Sequence, residues 1–218
     1  MIHNKSQSFL FSLLFLSIAY CHAGTEGKAR HPLYAGLIGG YGSTTWQGLV
    51  PAEKDKNPAI TMSTPKTVEE GGFAWGFLAG YEFSPYFALE ANYMRYPDST
   101  VYFDEYSIFS AFHDSSTSFK TKTDSISLIA KIMMTIPHSN FRIFSDAGVA
   151  RLYRNDLLLD DSRITPTFGA GVNYNFTDHI MGEIAGNYTA GFGQSQLNPA
   201  DGYFPFLYSV TARLAYRF

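Results

Sequence analysis

The sequence holds one cysteine, Cys21, and two tryptophans among 218 residues. A lone thiol can form no internal disulfide, so stability has to come from the fold itself. Basic runs are missing, and the formal net charge is −3, too mild a balance for a nucleic-acid binder. No segment keeps an apolar face at helical spacings of three and four. The one continuous apolar run, "FLFSLLFLSIAY", is short for a membrane-crossing helix.

That run has a different meaning at its position. Lys5 precedes it, and "CHAG" follows with small residues around a cleavage point after Ala23. Charge, apolar stretch and small-residue site make the three-part pattern of a secretory signal peptide. Residues 1–23 are expected to be removed, leaving 24–218 as a single domain without a thiol. Tyr20 stands before Cys21, where the lipoprotein pattern takes a small residue, which argues against a lipid-modified cysteine.

What is present is aromatic and glycine-rich. Phe, Trp and Tyr make up 17% of the chain, with 15 Tyr, 19 Phe and 19 Gly, a balance that favours strands over helices. After the leader, eight segments alternate apolar and polar residues: 33–42, 73–83, 87–96, 123–135, 141–152, 164–175, 180–190 and 206–218. In the second, Phe73, Trp75, Phe77, Ala79, Tyr81 and Phe83 share one face, and Ala74, Gly76, Leu78, Gly80 and Glu82 the other. Period-two segments of about ten residues are the signature of membrane-barrel strands. Pro166 interrupts the sixth and is expected at a strand start or a bulge, because proline cannot donate to a ladder.

The connections sort by length. "SPY", "IPHSN" and "FTDH" are short, whereas 43–72, 97–122, 153–163 and 191–205 are long, and the two kinds alternate. Outer-membrane barrels show this asymmetry, their short turns facing the periplasm and their long loops the outside. The expected fold is therefore all-β: an eight-stranded antiparallel up-and-down transmembrane β-barrel. A soluble lipocalin-like binding barrel is the rival, and nothing in such a fold sorts loop lengths. Apolar stripes would face lipid, and backbone groups would be satisfied by closure. Phe83, Phe87, Phe141, Phe176 and Tyr216 would form the lower girdle, and Tyr41, Tyr93, Tyr153, Tyr188 and Phe206 the upper one. Arg151 and Asp124 share lipid-facing parity and are expected above the hydrocarbon.

Three stretches carry a family resemblance: "YAGLIGGYG", "FGAGVNYNFTDHI" and the closing "LAYRF". From Leu33 to Phe218 the chain resembles the OmpA-like and opacity-type small outer-membrane β-barrels of Gram-negative bacteria. The resemblance implies an outer-membrane location and a C-terminal assembly signal, here Leu214, Tyr216 and Phe218, read by the barrel assembly machinery. It implies lipid and lipopolysaccharide as surroundings. It specifies architecture, not activity.

Projection of the strands puts four acids, Glu82, Glu90, Asp146 and Glu183, and four bases, Lys131, Arg142, Arg213 and Arg217, in the lumen. Equal numbers favour a closed salt-bridge network over a small pore, since eight strands leave an interior that side chains can fill. Catalysis finds little support. "FHDSS", with His113, Asp114 and Ser115, has a His-x-Ser spacing like that of outer-membrane lipid A deacylases, but it falls mid-loop without a placed carboxylate partner. His31, His138 and His179 lie at the short-turn end. The loop acids Asp98, Asp104, Glu105, Asp114, Asp156, Asp160 and Asp161 have no calcium-loop spacing, and no cofactor is expected. Tyr102, Phe103, Tyr106, Phe109 and Phe112 make the second long loop too apolar for idle surface. They either pack on the rim or meet a partner, such as a host or extracellular ligand. The sequence thus reads as a surface protein with a structural or adhesive role through its loops, not an enzyme.

Overall fold

The structure, a computed structural model, describes residues 31–52, 57–193 and 202–218. The expected leader, with Lys5, Cys21 and Ala23, lies outside the described residues.

Eight long strands form the barrel wall: β1 (Leu33–Thr44), β3 (Gly72–Ser84), β4 (Phe87–Arg95), β6 (Ser118–Thr135), β7 (Phe141–Asn155), β8 (Asp160–Asn175), β9 (Ile180–Thr189) and β10 (Leu207–Arg217). Two short strands, β2 (Thr67–Glu69) and β5 (Ser99–Tyr102), extend the upper part of β6. Every wall strand pairs antiparallel with its neighbour in sequence, and β1 closes the circle against β10. Closure leaves no edge to satisfy.

Alternation decides which way each side chain points. Phe73, Phe77, Ile164, Ile184 and Val210 face outward and are half or more exposed, while every second residue of β10 from Leu207 to Arg217 is buried. A lipocalin-like barrel would turn those apolar residues inward. Here the charges are inside and the apolar face outside, the arrangement that hydrocarbon surroundings require. The expected girdles lie on this outer face: Phe83, Phe87, Phe141, Phe176 and Tyr216 around the short turns, and Tyr41, Tyr93, Tyr153, Tyr188 and Phe206 toward the loops.

Several boundaries differ from the sequence reading. The stretch 153–163 is not a long loop: β7 and β8 run on as a hairpin to a turn at 156–159. Asp156 makes that turn, its Oδ1 accepting from the backbone N–H groups of Leu158 and Leu159. The strand pair therefore needs no flexible crossing. The first long connection contains a 3₁₀ turn (Trp46–Leu49), α1 (Pro58–Ser63) and β2; the second contains β5, α2 (Ile108–Phe112) and the start of β6. Pro166 sits inside β8, in register with Val149 and without a bulge there. It is tolerated because the β8–β9 ladder ends beside it, at Thr167 and Thr189, where its carbonyl accepts from Ala190 N–H. Asp124 lies at girdle height and pairs with Arg95 at 3.4 Å. Arg151 faces outward, in register with Ile126 and Ile164 and in the ladder row that also holds Tyr93 of the upper girdle.

Candidate functional site

All eight projected lumen charges are buried. Seven of them form two layers. In the lower layer Glu82 bridges two guanidinium groups, Arg142 on one oxygen and Arg217 on the other at 3.1 Å. In the central layer Lys131 Nζ reaches Glu90 at 2.9 Å and Glu183 at 3.0 Å. Arg213 Nη1 donates to Glu90 at 3.0 Å, and Tyr34 Oη donates to the other Glu90 oxygen at 2.9 Å. Asn173 joins the layers, accepting from Arg142 at 3.3 Å and donating to Glu183 at 2.9 Å. Two acids against two bases leave the central layer neutral, and each buried charge keeps a partner, the condition under which burial is tolerated.

Glycine permits part of this. Tyr34 and Glu90 flank Gly80 in register across β1, β3 and β4. A Cβ on Gly80 would overlap the Tyr34 ring, so the bare backbone is what lets the phenol cross the lumen wall to the carboxylate.

Asp146 is the exception. It stands opposite Lys131 in the β6–β7 register, yet Lys131 turns away to the two glutamates, and Asp146 Oδ2 is buried without a partner. Higher up, the buried oxygens of Asn92, Thr121, Thr123 and Thr165 are also without protein partners. Buried groups of this kind are ordinarily satisfied by ordered water. The upper lumen thus combines hydroxyls suited to water with an apolar cluster of Met94, Tyr96, Leu152, Phe204 and Leu207. At the opposite end, a cleft of about 320 Å³ opens between the short turns, with Glu82, Arg142 and Arg217 at its floor.

The rim above the wall is built around Arg154, a residue the sequence reading did not single out. It is fully buried, with Nε 2.6 Å from Asp156 and Nη1 donating to the Tyr203 carbonyl at 2.7 Å. Its guanidinium lies 4.7 Å from the buried Trp46 ring. Tyr203 Oη donates to the Thr45 carbonyl, and Glu70 accepts from Trp46 N–H and the Thr44 hydroxyl. Burial pushes the Tyr203 phenol above its ordinary pKa, which keeps it a donor. One arginine therefore ties the β1 exit, the β7–β8 turn and the segment before β10 together. Strand parity carried past Leu152 turns Arg154 inward, but the alternating segment reads only to Leu152, and the contact itself depends on where three separate connections fold back.

The structure divides the five loop aromatics. Phe103 and Phe109 are buried and stacked at 4.3 Å, packed with Val101 and Phe119. Tyr106 and Phe112 are each 81% exposed. Tyr102 is half-buried and donates to Glu69. A cleft of about 410 Å³ runs beside Tyr106, lined also by Asn57, Pro58, Thr61, Met62 and Asp104.

His113 stacks on Phe109, and its Nδ1 lies 2.9 Å from the Phe109 carbonyl. Asp114 and Ser115 have φ of 49° and 62°. Together they end α2, where polar residues that tolerate the left-handed region serve the backbone. The His31 and His179 rings lie 4.2 Å apart, tilted at 48° to each other, beside the C-terminal strand. Among the described residues, no three His, Cys, Asp or Glu side chains converge as a metal ion would need. Leu214, Tyr216 and Phe218 alternate on the outer face, and Phe218 N–H donates to the Leu33 carbonyl at 2.9 Å.

Residues 11–218 match the family model described as the outer membrane protein beta-barrel domain. The chain belongs to this family. It is therefore an outer-membrane barrel, and lipid is its surroundings. An uncharacterized protein of Coxiella burnetii (strain RSA 493 / Nine Mile phase I) is 28% identical over 185 residues, covering 72% of each chain. Two solved barrels are similar in fold. Neisserial surface protein A superposes with a TM-score of 0.52 at 12% identity, covering 85% of this chain and 97% of that one. OprG of Pseudomonas aeruginosa gives 0.51 at 12% identity, covering 86% and 97%. At such identity the likeness concerns the fold alone.

Proposed function

We propose that this outer-membrane barrel is closed to ions and acts at the cell surface through its rim, in a structural or adhesive role. The paired lumen layers carry the first half. Lys131, Arg213, Glu90 and Glu183 form a layer of compensated charge inside the barrel, and an ion passing them would have to break pairs whose separation leaves a buried charge uncompensated. The second half rests on the rim, where Tyr106 and Phe112 present bare aromatic rings from a loop otherwise anchored by buried ones. Its partners on this reading are membrane lipid and lipopolysaccharide, the barrel assembly machinery through Leu214, Tyr216 and Phe218, and an extracellular or host ligand at the rim. Export would use a cleaved leader ending at Ala23. Catalysis has no part in it, since the His113 cluster serves a helix end.

A small pore is the second reading, favoured by one observation: the unpartnered Asp146 and the hydroxyls above it suit water in the upper half of the lumen. Planar-bilayer recording separates the two. The closed barrel gives little or no steady conductance, whereas a large, reproducible open level overturns it and promotes the pore.

A further inference from the structure

Among the described residues, Arg151 on the outward face of the barrel has no carboxylate of its own chain to answer its charge. Arg151 projects outward from β7, in register with Ile126 and Ile164, which are 49% and 74% exposed. Its guanidinium lies 5.1 Å from the ring of Tyr153, the next outward residue, and Nε donates to Ser162 Oγ at 2.9 Å. Among the described residues no carboxylate lies within ion-pair distance, and its two terminal amino groups make no hydrogen bond. The neighbouring cations differ: Arg95 is held by Asp98 and Asp124 at 3.5 and 3.4 Å, and Lys120 by Asp98 at 3.1 Å. Lys122, two outward positions above Ile126 on β6, is also without an ion pair among the described residues.

A guanidinium at the edge of hydrocarbon bends toward the interface and seeks anionic partners there. Stacking on Tyr153 and the bond to Ser162 fix its plane, leaving Nη1 and Nη2 as a fork, the geometry that suits a phosphate. We infer that Arg151, assisted by Lys122, binds the phosphate of an outer-leaflet lipid, a phosphorylated glycolipid seated against β6, β7 and β8. Its acyl chains would lie on Ile126, Leu128, Val149 and Ile164. The inference rests on the outer-membrane reading with the rim facing outward, since only then does this girdle meet that leaflet.

The test folds wild type, Arg151→Gln, Arg151→Lys and Lys122→Gln into phosphatidylcholine vesicles doped with diphosphoryl lipid A or with its dephosphorylated form. Heat-modifiable gel mobility reports folding, and native mass spectrometry after mild extraction reports retained lipid. Wild type should retain the diphosphoryl form selectively, Arg151→Gln should lose about tenfold, the scale of one charge-assisted hydrogen bond, and Arg151→Lys should keep part. Should Arg151→Gln not fold, salt decides on the wild type: added salt should release the lipid, and salt-independent retention overturns the site. Equal retention of the two lipids, or by wild type and folded Arg151→Gln, also overturns it. Failure of the wild type to fold into either vesicle instead removes the membrane reading beneath it.

Discussion

Lys131 and Asp146 face each other across the β6–β7 ladder, yet the lysine pairs with Glu90 and Glu183 and passes over the Phe144 ring at 4.4 Å. Removal of either residue therefore has a different consequence. Lys131→Met leaves two buried glutamates sharing Arg213, and should cost about 3–5 kcal/mol. Asp146→Asn removes a carboxylate whose Oδ2 has no partner, and should be neutral or slightly stabilising. Urea titration of protein folded in lipid, followed by tryptophan fluorescence and gel mobility, measures both. Equal losses would show that Asp146 holds a lumen ion pair of its own. Alternation along each strand shows which charges point inward, and all eight projected ones are buried. It does not show which pairs form, because Nζ on a four-carbon stem can reach across the lumen as easily as to its neighbour.

At the scale of the element, β10 presents opposite faces to opposite surroundings. Ala212 lies mid-strand on the outer face, between Gly39 and Ile184 in register, and Thr211 points inward beside Arg213. Ala212→Arg should destabilise by about 2–4 kcal/mol, the cost of arginine at the membrane midplane. Thr211→Arg should act through crowding and like charge against Arg213, a penalty that salt relieves in part. The folded fraction at graded salt checks both. Free folding of Ala212→Arg with salt-independent failure of Thr211→Arg would invert the two faces. The strand cores and short turns were legible from periodicity and turn residues, since each follows from local chemistry. The upper ends of β6, β7 and β8 were not, because their pairing extends wherever two neighbours continue together, whatever their composition. Arg154 escaped for the same reason: its partners Trp46, Asp156 and Tyr203 come from three connections.

For the whole molecule, the rim and the short turns define two ends, and the proposed function requires the rim outside. Chymotrypsin added to intact cells should cut at Tyr106 or Phe112, both 81% exposed, while sites among the short turns stay protected until cells are opened. Cleavage only in permeabilised cells would reverse the orientation. The sequence by itself determined the barrel: period two on eight segments, three pairs of them joined by short turns, leaves closure as the way to satisfy backbone groups in hydrocarbon. It also determined the lumen's composition, because strand parity assigns each side chain to a face. Tertiary structure alone decided how those groups meet: the two lumen layers joined by Asn173, the rim clamped by Arg154, the split between buried Phe103 and Phe109 and bare Tyr106 and Phe112. The physical reason is range. Facing is fixed by the backbone within two residues, but pairing is fixed by distances between residues far apart in the chain, which exist only once the barrel has closed.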